Sequence, residues 1–306
     1  MAVLASSNLV LPKNIAAGLW EKAQTGSAVA ALSGQTPMLF GNTDLMTFNT
    51  RPRAEYVAEG ADKASSSVAF GTKTVTPKKV QVTLRFNEEV QWADEDYQLG
   101  VLNTCARAAG DALGRALDLG VFHRINPISG AAVTSITEYL TQTTNSVEIL
   151  DGTGANAPQG PEMEIQTAAG LIIADGYVPN GVAFDPSYAW TLATERYPDG
   201  RLKFPELGFG NAITNFKGLS AYSTSTVSGT PEATDTKVKA LLGDWSQLVW
   251  GVQRNVPVEI IRFGDPDGQG DLKRKNQIAL RTEVVYGWVI MDLNAFGKIV
   301  NAVDEA

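Results

Sequence analysis

Histidine-dependent acid–base chemistry and cysteine-based nucleophilic chemistry in this 306-residue chain would have to use its single histidine, His123, or its single cysteine, Cys105. A lone histidine is more typical of a surface or helix-capping position than of a catalyst. A free cysteine beside an apolar stripe behaves as a small hydrophobic residue. Serine, cysteine and zinc sites all need partners that the sequence does not supply in the required combinations. We therefore predict that the protein is not an enzyme and has no catalytic residues.

Two glycine-rich segments resemble ligand-binding loops. Gly152–Ala157 matches the spacing of a dinucleotide fingerprint, but Pro158–Pro161 delays the helix that should follow it directly. Asp265–Asp271 resembles the start of a calcium loop, but Asn276 stands where a bidentate glutamate belongs. A polar turn between two strands explains the second segment more simply, and calcium binding stays open as the alternative. We predict no cofactor and no metal site.

The net charge of −8 and the absence of a basic tract argue against dedicated nucleic-acid binding, because phosphate neutralisation requires clustered lysine and arginine. An acidic protein can nevertheless enclose a nucleic acid without gripping it. No apolar run reaches the roughly eighteen residues of a membrane span, and Met1–Leu11 lacks the positive charge of a secretory signal. One cysteine excludes an internal disulfide and fits a reducing compartment. We predict no membrane association.

The elements that would position any site are arranged around one long amphipathic helix, predicted from Asp94 to His123. Spacings of three and four place an apolar stripe on one face: Leu99, Leu102, Ala106, Ala109, Leu113 and Ala116. The polar remainder of the surface carries Gln98, Asn103, Arg107, Asp111, Arg115 and Asp118. The helix begins with three carboxylates, Asp94, Glu95 and Asp96, which can accept hydrogen bonds from the unpaired backbone amides of the first turn. The small residues of the stripe predict that a sheet packs closely against it.

Upstream of this helix the sequence predicts an arm and a long ribbon. Residues 1–42 alternate short apolar clusters with small polar residues, include a helical turn near Ile15–Ala23, and predict an arm that lies on another surface. Thr47–Val57 and Val68–Phe86 are typical of two extended segments joined by a flexible polar tip, Gly60–Ser67. An isolated two-stranded ribbon is marginal in water, so we expect it to lie across a neighbour or its own domain.

Downstream of the long helix, alternating helices and strands predict an α/β or α+β layer. Helices are expected at Glu162–Asp175 and at Pro186–Thr194, with a buried strand between them. Ser220–Lys237 is rich in Ser, Thr and Gly and predicts a long surface excursion. Ile278–Met291 alternates apolar and polar residues, which predicts a strand of unusual length.

This order of parts resembles the major capsid proteins of tailed bacteriophages with the Hong Kong 97 fold. A loose arm, a long charged hairpin, a spine helix, an α/β module and a returning long strand follow one another from about residue 45 to residue 303. The local sequence agrees in order and spacing at Glu55–Gly60, Pro77–Lys79, Phe86–Val90, Pro179–Val182, Pro186–Trp190, Gly243–Ser246, Asn276–Glu283 and Ala295–Phe296.

The resemblance implies an α+β chain with the Hong Kong 97-like capsid fold. Its parts are an N-terminal arm, an extended β-hairpin loop, a spine helix with a peripheral β-sheet, and an α/β axial domain. The implied boundaries are residues 1–42 for the arm, 43–84 for the extended loop, 85–127 together with 264–306 for the peripheral domain, and 128–263 for the axial domain.

The resemblance also implies a structural protein that self-assembles into an icosahedral virion shell of hexamers and pentamers around double-stranded DNA. The chain is too short before its hairpin for the cleaved scaffolding segment of many relatives, so a separate scaffolding protein is expected. A portal and decoration proteins are further expected partners, with assembly in the host cytoplasm. A bacterial compartment shell of the same fold is the near alternative. A nucleotide-dependent enzyme, based on Gly152–Ala157, is the distant one.

Charged residues of the extended loop are expected to contact neighbouring subunits: Arg51, Arg53, Glu55, Glu59, Asp62, Lys63 and Lys73. In the family's best-known member a loop lysine bonds covalently to a neighbour's asparagine, helped by a glutamate. The resemblance places Lys63, Asn276 and Glu283 at those positions. Their alternative roles are a solvated charge, a turn residue and an ion-pair partner. The Ser-rich tip offers little apolar surface to dry such a site, and amide attack needs a neutral amine. We therefore predict that the covalent bond does not form.

Overall fold

The computed structural model describes residues 26–38, 41–48, 54–63, 65, 70–89, 95–149, 160–205, 207, 213–255 and 258–301. Its helices are α1 (Ala28–Leu32), α2 (Glu95–His123), α3 (Pro161–Ala174) and α4 (Pro186–Thr194). Its strands are β1 (Thr43–Phe48), β2 (Phe70–Val75), β3 (Lys78–Asn87), β4 (Ser146–Glu148), β5 (Gly181–Phe184), β6 (Asn215–Phe216), β7 (Leu219–Ser223), β8 (Val238–Gly243), β9 (Leu248–Asn255), β10 (Glu259–Ile261), β11 (Gln277–Ile290) and β12 (Phe296–Val300). Outside the described residues lie Ile15–Ala23, Arg51, Arg53, Asp94 and Gly152–Ala157.

Helix α2 confirms the predicted spine. The described members of the apolar stripe, from Ala106 to Ala116, are buried, whereas the side chains of Leu99 and Leu102 lie outside the described residues. From Ala116 to His123 every helical residue is buried, because α1, the β3–β11 ladder and the turn at residues 225–227 cover the helix on several sides. No helix among the described residues is long and apolar enough to span a bilayer.

Strand β11 is the axis of a four-stranded antiparallel sheet. Strand β3 pairs along one edge of it from Gln277 to Tyr286, while β10 and then β9 pair along the other edge. The apolar residues predicted at alternating positions are all buried: Ile278, Leu280, Val284, Tyr286, Trp288 and Ile290. The inward face packs against α2 closely enough that a Cβ on Gly120 would lie 2.9 Å from the Trp288 ring. The predicted long strand is therefore confirmed.

The ribbon forms by antiparallel pairing of β1 with β2, from Thr43 opposite Val75 to Phe48 opposite Phe70. In the extended segment predicted over Val68–Phe86, the described residues form two strands, β2 and β3, which are divided at residues 76–77. Pro77 has no backbone N–H to continue a ladder, which explains why pairing changes partner there. Described residues 54–63 lie beyond β1 without helix or strand, so the predicted strand Thr47–Val57 ends early.

A six-stranded mixed sheet follows the order β4–β12–β8–β5–β7–β6, with parallel pairs between β4 and β12 and between β5 and β7. Helices α3 and α4 pack against it and confirm the two helices predicted there. The aromatic ring of Phe296 contacts Trp245 edge to face, which joins this sheet to the core beneath α2.

The predicted surface excursion at Ser220–Lys237 is wrong in its central part. Thr224, Thr226, Val227 and Ser228 are buried, with Thr226 and Val227 fully so, and residues 225–227 form a 3-10 turn against α2. Hydroxyl-bearing residues are buried here because they form hydrogen bonds inside the protein. Their polarity alone indicated exposure to solvent, which is why the pattern was misleading.

Substitution of a stripe residue tests the packing of the spine. Ala109 is 1% exposed, so we expect Ala109→Glu to bury an unpaired carboxylate at a cost on the order of several kcal/mol and to remove soluble, folded subunit. The matched control is Ala108→Glu, because Ala108 is exposed on the same turn. The yield of soluble protein from each variant measures the difference, and far-UV circular dichroism and urea unfolding show whether the soluble protein is folded. A stable Ala109→Glu monomer would contradict the packing.

Candidate assembly surface and the anchor of the arm

The described residues between β1 and β2 are exposed. Every residue from Ala54 to Lys63 is exposed, and among them Tyr56 is an aromatic side chain open to solvent over its whole surface. The predicted contact residues Glu55, Glu59, Asp62 and Lys63 all lie on this segment. The structure therefore places these four on one exposed segment.

The root of the ribbon is held on its own subunit. Lys73, which was predicted as a contact to a neighbour, donates to the Ile290 carbonyl at 2.6 Å and lies 3.2 Å from the Glu138 carboxylate. Val75 is buried where the ribbon crosses Gly287, at which a Cβ would lie 2.7 Å from a Val75 methyl carbon. Only glycine allows this approach. The ribbon is thus fixed at its base while its tip stays exposed.

The residues of the proposed covalent bond are separated. Lys63 lies at the exposed tip, and Asn276 occupies an exposed left-handed position (φ 50°) just before β11. Glu283 lies seven residues along the same strand, roughly 23 Å away at ~3.3 Å per residue, and its carboxylate pairs with Lys79 at 2.8 Å. One subunit therefore does not bring the three groups together. The absence of the bond stays a prediction.

A buried polar site around Asp118 was not found from the sequence. Asp118 was predicted on the polar face of the spine, but it is fully buried, so that prediction is wrong. Its oxygens accept from Ser27 Oγ at 2.6 Å, from the Ala28 and Val29 amides at 3.0 and 3.1 Å, and from Thr226 Oγ1 at 3.0 Å. The carboxylate therefore caps α1 and ties the arm to the spine.

Burial and hydrogen bonding act in opposite directions on this carboxyl group. Burial raises the pKa of Asp118, and the donors from Ser27, Ala28, Val29 and Thr226 oppose that rise. A signal in the sequence was Ser27 ahead of the apolar run 28–32, which is typical of a helix N-cap. The carboxylate that completes the cap is about ninety residues away in sequence, so no local pattern connects the two.

His123 lies in the same buried region. It was predicted at a surface or capping position, and the structure places it 7% exposed with Nε2 donating to the Val227 carbonyl at 2.8 Å. Burial lowers the pKa of His123 to about 4, so the imidazole is neutral at pH 7. The ring therefore holds the 3-10 turn at residues 225–227 on the end of the spine, which is a structural role.

The guanidinium of Arg85 binds the turn at Asp265–Asp271, whose sequence resembles the start of a calcium loop. Arg85 of β3 donates to Asp267 at 3.1 Å and to the Gly270 carbonyl at 3.0 Å, and it lies 3.3 Å from Asp265. Its guanidinium lowers the pKa of Asp267. Among the described residues, no group of three or more His, Cys, Asp or Glu side chains could hold a metal ion. The geometry favours the polar turn that joins β10 to β11.

Comparisons with known proteins agree with this geometry. The sequence profile of the phage capsid family matches residues 7–301. A solved chain from Mycobacterium phage Ogopogo is 45% identical, with a TM-score of 0.79 over 90% of this chain and 92% of that chain. One from Gordonia phage Cozz is 31% identical, with a TM-score of 0.75 over 91% and 87%. A chain from the capsid of an empty GTA particle, at 12% identity, has a similar fold, with a TM-score of 0.60 over 91% and 90%. Curated proteins gave no significant match.

Removal of the buried carboxylate tests the anchor of the arm. We expect Asp118→Ala to leave two hydroxyls and two backbone amides without their acceptor and to lower the free energy of unfolding by roughly 3–5 kcal/mol. Hydrogen exchange of the Ala28 and Val29 amides should accelerate in the same variant. Asp62→Ala is the control, since that carboxylate is exposed. Unchanged protection of the two amides would show that Asp118 does not hold the arm.

Proposed function

The chain belongs to the phage capsid family as a structural major capsid protein, and we propose that its copies form the hexamers and pentamers of an icosahedral shell that encloses double-stranded DNA. The observation that supports this most directly is the ribbon, which is braced at Lys73 and Val75 and exposed at every residue from Ala54 to Lys63. A segment that buries little surface in its own subunit gains stability when a neighbouring subunit covers it.

The electrostatics fit a container for DNA. With a net charge of −8 the chain does not neutralise phosphates along its surface, so densely packed DNA is enclosed without tight binding. We assign residues 43–84 to the extended loop, 85–127 and 264–306 to the peripheral domain, and 128–263 to the axial domain. Within the extended loop, residues 78–84 pair with β11 in their own subunit, so the part that overlaps a neighbour is the ribbon of β1 and β2 with its tip. A portal, a separate scaffolding protein and decoration proteins are the partners proposed for assembly in the host cytoplasm. No enzyme activity, resident cofactor or metal is part of this proposal.

Imaging of the expressed protein tests the proposed function. The chain, alone or with a scaffolding protein from the same genome, is purified and examined by sedimentation and negative-stain microscopy. We expect closed particles built of hexamers and pentamers, and double-stranded DNA inside particles taken from virions. Particles that hold protein cargo instead of DNA would favour the compartment alternative. A protein that stays monomeric under both conditions and is stabilised thermally by a nucleotide would favour the enzyme.

Removal of the loop tip tests whether the loop overlaps a neighbour. Deletion of residues 61–67 should leave the unfolding free energy of the subunit within roughly 0.5 kcal/mol of the parent, because Ala61–Lys63 are exposed, and should reduce the yield of shells. Replacement of the same seven residues by a Gly/Ser segment of equal length removes the side chains but keeps the length of the loop, so it separates the two effects. If the deletion variant assembles as readily as the parent, the loop does not overlap a neighbour.

The absence of the covalent bond is tested on assembled particles. Because Glu283 pairs with Lys79 and the exposed tip offers no dry pocket for a neutral Lys63, we expect one monomer band after boiling in denaturing detergent. Particles carrying Lys63→Ala provide the control and should give the same pattern. A ladder of linked species that Lys63→Ala abolishes would show that the bond forms.

A further inference from the structure

We infer that Glu164, on the first turn of α3, is held in the folded subunit as a neutral carboxylic acid that donates its proton to Tyr188 of α4. The contact between the two helices is then a proton-binding site, which couples the stability of the subunit to the pH of its surroundings. The inference concerns the single subunit and does not rest on the proposed function.

Glu164 lies in surroundings that disfavour an ionised carboxylate. Its side chain belongs to a residue that is 2% exposed, and Tyr188 beside it is 4% exposed. The sheet face on which α3 and α4 pack presents apolar side chains to them: Val147, Val182, Phe184, Ala240, Leu242 and Ile299. A buried carboxyl group without a cation favours its neutral form, because charge is poorly solvated in apolar surroundings.

The hydrogen bonds of Tyr188 are complete only when Glu164 carries a proton. The phenol oxygen lies 2.7 Å from Glu164 Oε2 and 3.1 Å from the Pro161 carbonyl oxygen. A tyrosine hydroxyl has one hydrogen, so it can donate to only one of these two acceptors if Glu164 is ionised. With a proton on Oε2, the carboxyl group donates to the phenol oxygen, and the phenol donates to the Pro161 carbonyl. All three oxygens then have a partner.

The lysines nearest to this site are paired with other carboxylates. Lys203 lies 2.5 Å from Glu195 and 3.8 Å from Glu162, and Lys217 pairs with Glu162. Oε2 of Glu195 is itself buried without a hydrogen-bond partner among the described residues. Within the part of the chain that the structure describes, no ion pair therefore reaches Glu164 to stabilise a negative charge there.

The charges around Glu164 determine how stability changes with pH. The titratable side chains on the elements around the first turn of α3 are Glu162 on α3, Asp185 and Tyr188 at the start of α4, Glu195, Tyr197 and Lys203 after α4, and Lys217 on the β6–β7 turn. Burial raises the pKa of Glu164, the charge of Glu195 adds to the rise, and the hydrogen bond with Tyr188 opposes it. Because the folded pKa lies above the unfolded one, folding takes up a proton at Glu164. The stability that this proton contributes is present at low pH and is lost as the pH rises through the raised pKa.

The pH dependence of unfolding tests the inference. Urea unfolding of the purified full-length subunit is measured from about pH 5 to about pH 9 and compared with that of Glu164→Gln, whose amide can donate to Tyr188 at every pH. The unfolding constant of the parent, divided by that of the variant, should rise by up to roughly tenfold per pH unit until the folded pKa of Glu164 is passed. Asp118 and His123 titrate in both proteins, so their contributions cancel in this ratio. Glu148→Gln is the matched control, since that carboxylate is exposed on β4 of the same sheet, and it should leave the ratio flat.

Infrared spectroscopy observes the proton directly. In the parent at neutral pH, with glutamate isotopically labelled at its side-chain carboxyl group, we expect the carbonyl stretch of a protonated acid. Tyr188→Phe removes the hydrogen bond and keeps the carboxyl group, so it should shift the frequency of this band. Because the band is measured in the parent, the test stands even if Glu164→Gln does not fold.

Three results would overturn the inference. A ratio that stays flat with pH, together with no protonated-acid band in the parent, would show that Glu164 is ionised. A band that persists in Glu164→Gln would belong to another glutamate, and a band that does not move in Tyr188→Phe would show that the two groups are not hydrogen bonded. Both measurements use unassembled subunits, so their failure leaves the proposed function untouched.

Discussion

The buried carboxylate of Asp118 holds together three parts of this subunit, which are the arm, the spine helix α2 and the 3-10 turn at residues 225–227. An ionised group without solvent is strongly destabilising unless it is fully hydrogen bonded, and here four donors surround it. The donors belong to the arm at residues 27–29 and to Thr226, while the carboxylate belongs to the spine. If either segment moved away, the buried Asp118 carboxylate would lose hydrogen-bond donors and the free energy of unfolding would fall. Val29, whose amide donates to this carboxylate, belongs to the same hydrophobic core as Phe122 and Trp245.

The second constraint is the length of β11, which separates two exposed features of the subunit. The ribbon is braced at one end by Lys73 and Val75, and the charged turn is held at the other by Arg85. Both are attached to the sheet built on β11, whereas the loop and the turn that they carry are exposed to solvent. A subunit with this layout has a packed core and exposed surfaces that other copies can cover. This suits a protein whose function is assembly with its own copies.

Periodicity predicted much of the fold because it reports burial on one face of a local element. The spine, the helices at Pro161–Ala174 and Pro186–Thr194, and the strand Gln277–Ile290 were all found in this way. The predictions that failed concern polar residues. Thr226 was assigned to the surface by its type, and the structure buries it beside Asp118. The ribbon was predicted as two strands, and the change of partner at residues 76–77 divided the second of them.

By itself the sequence determined the order of helices and strands, the exposed charged loop, and the family to which their order points. These properties follow from neighbours a few residues apart, where the spacing of apolar side chains is visible in the chain. Only the tertiary structure decided what the polar residues do. Ser27 and Asp118 are 91 positions apart, and Thr226 is 108 positions beyond Asp118. Whether a carboxylate, a hydroxyl or an imidazole faces water or completes a buried network depends on partners that the fold alone brings within hydrogen-bonding distance.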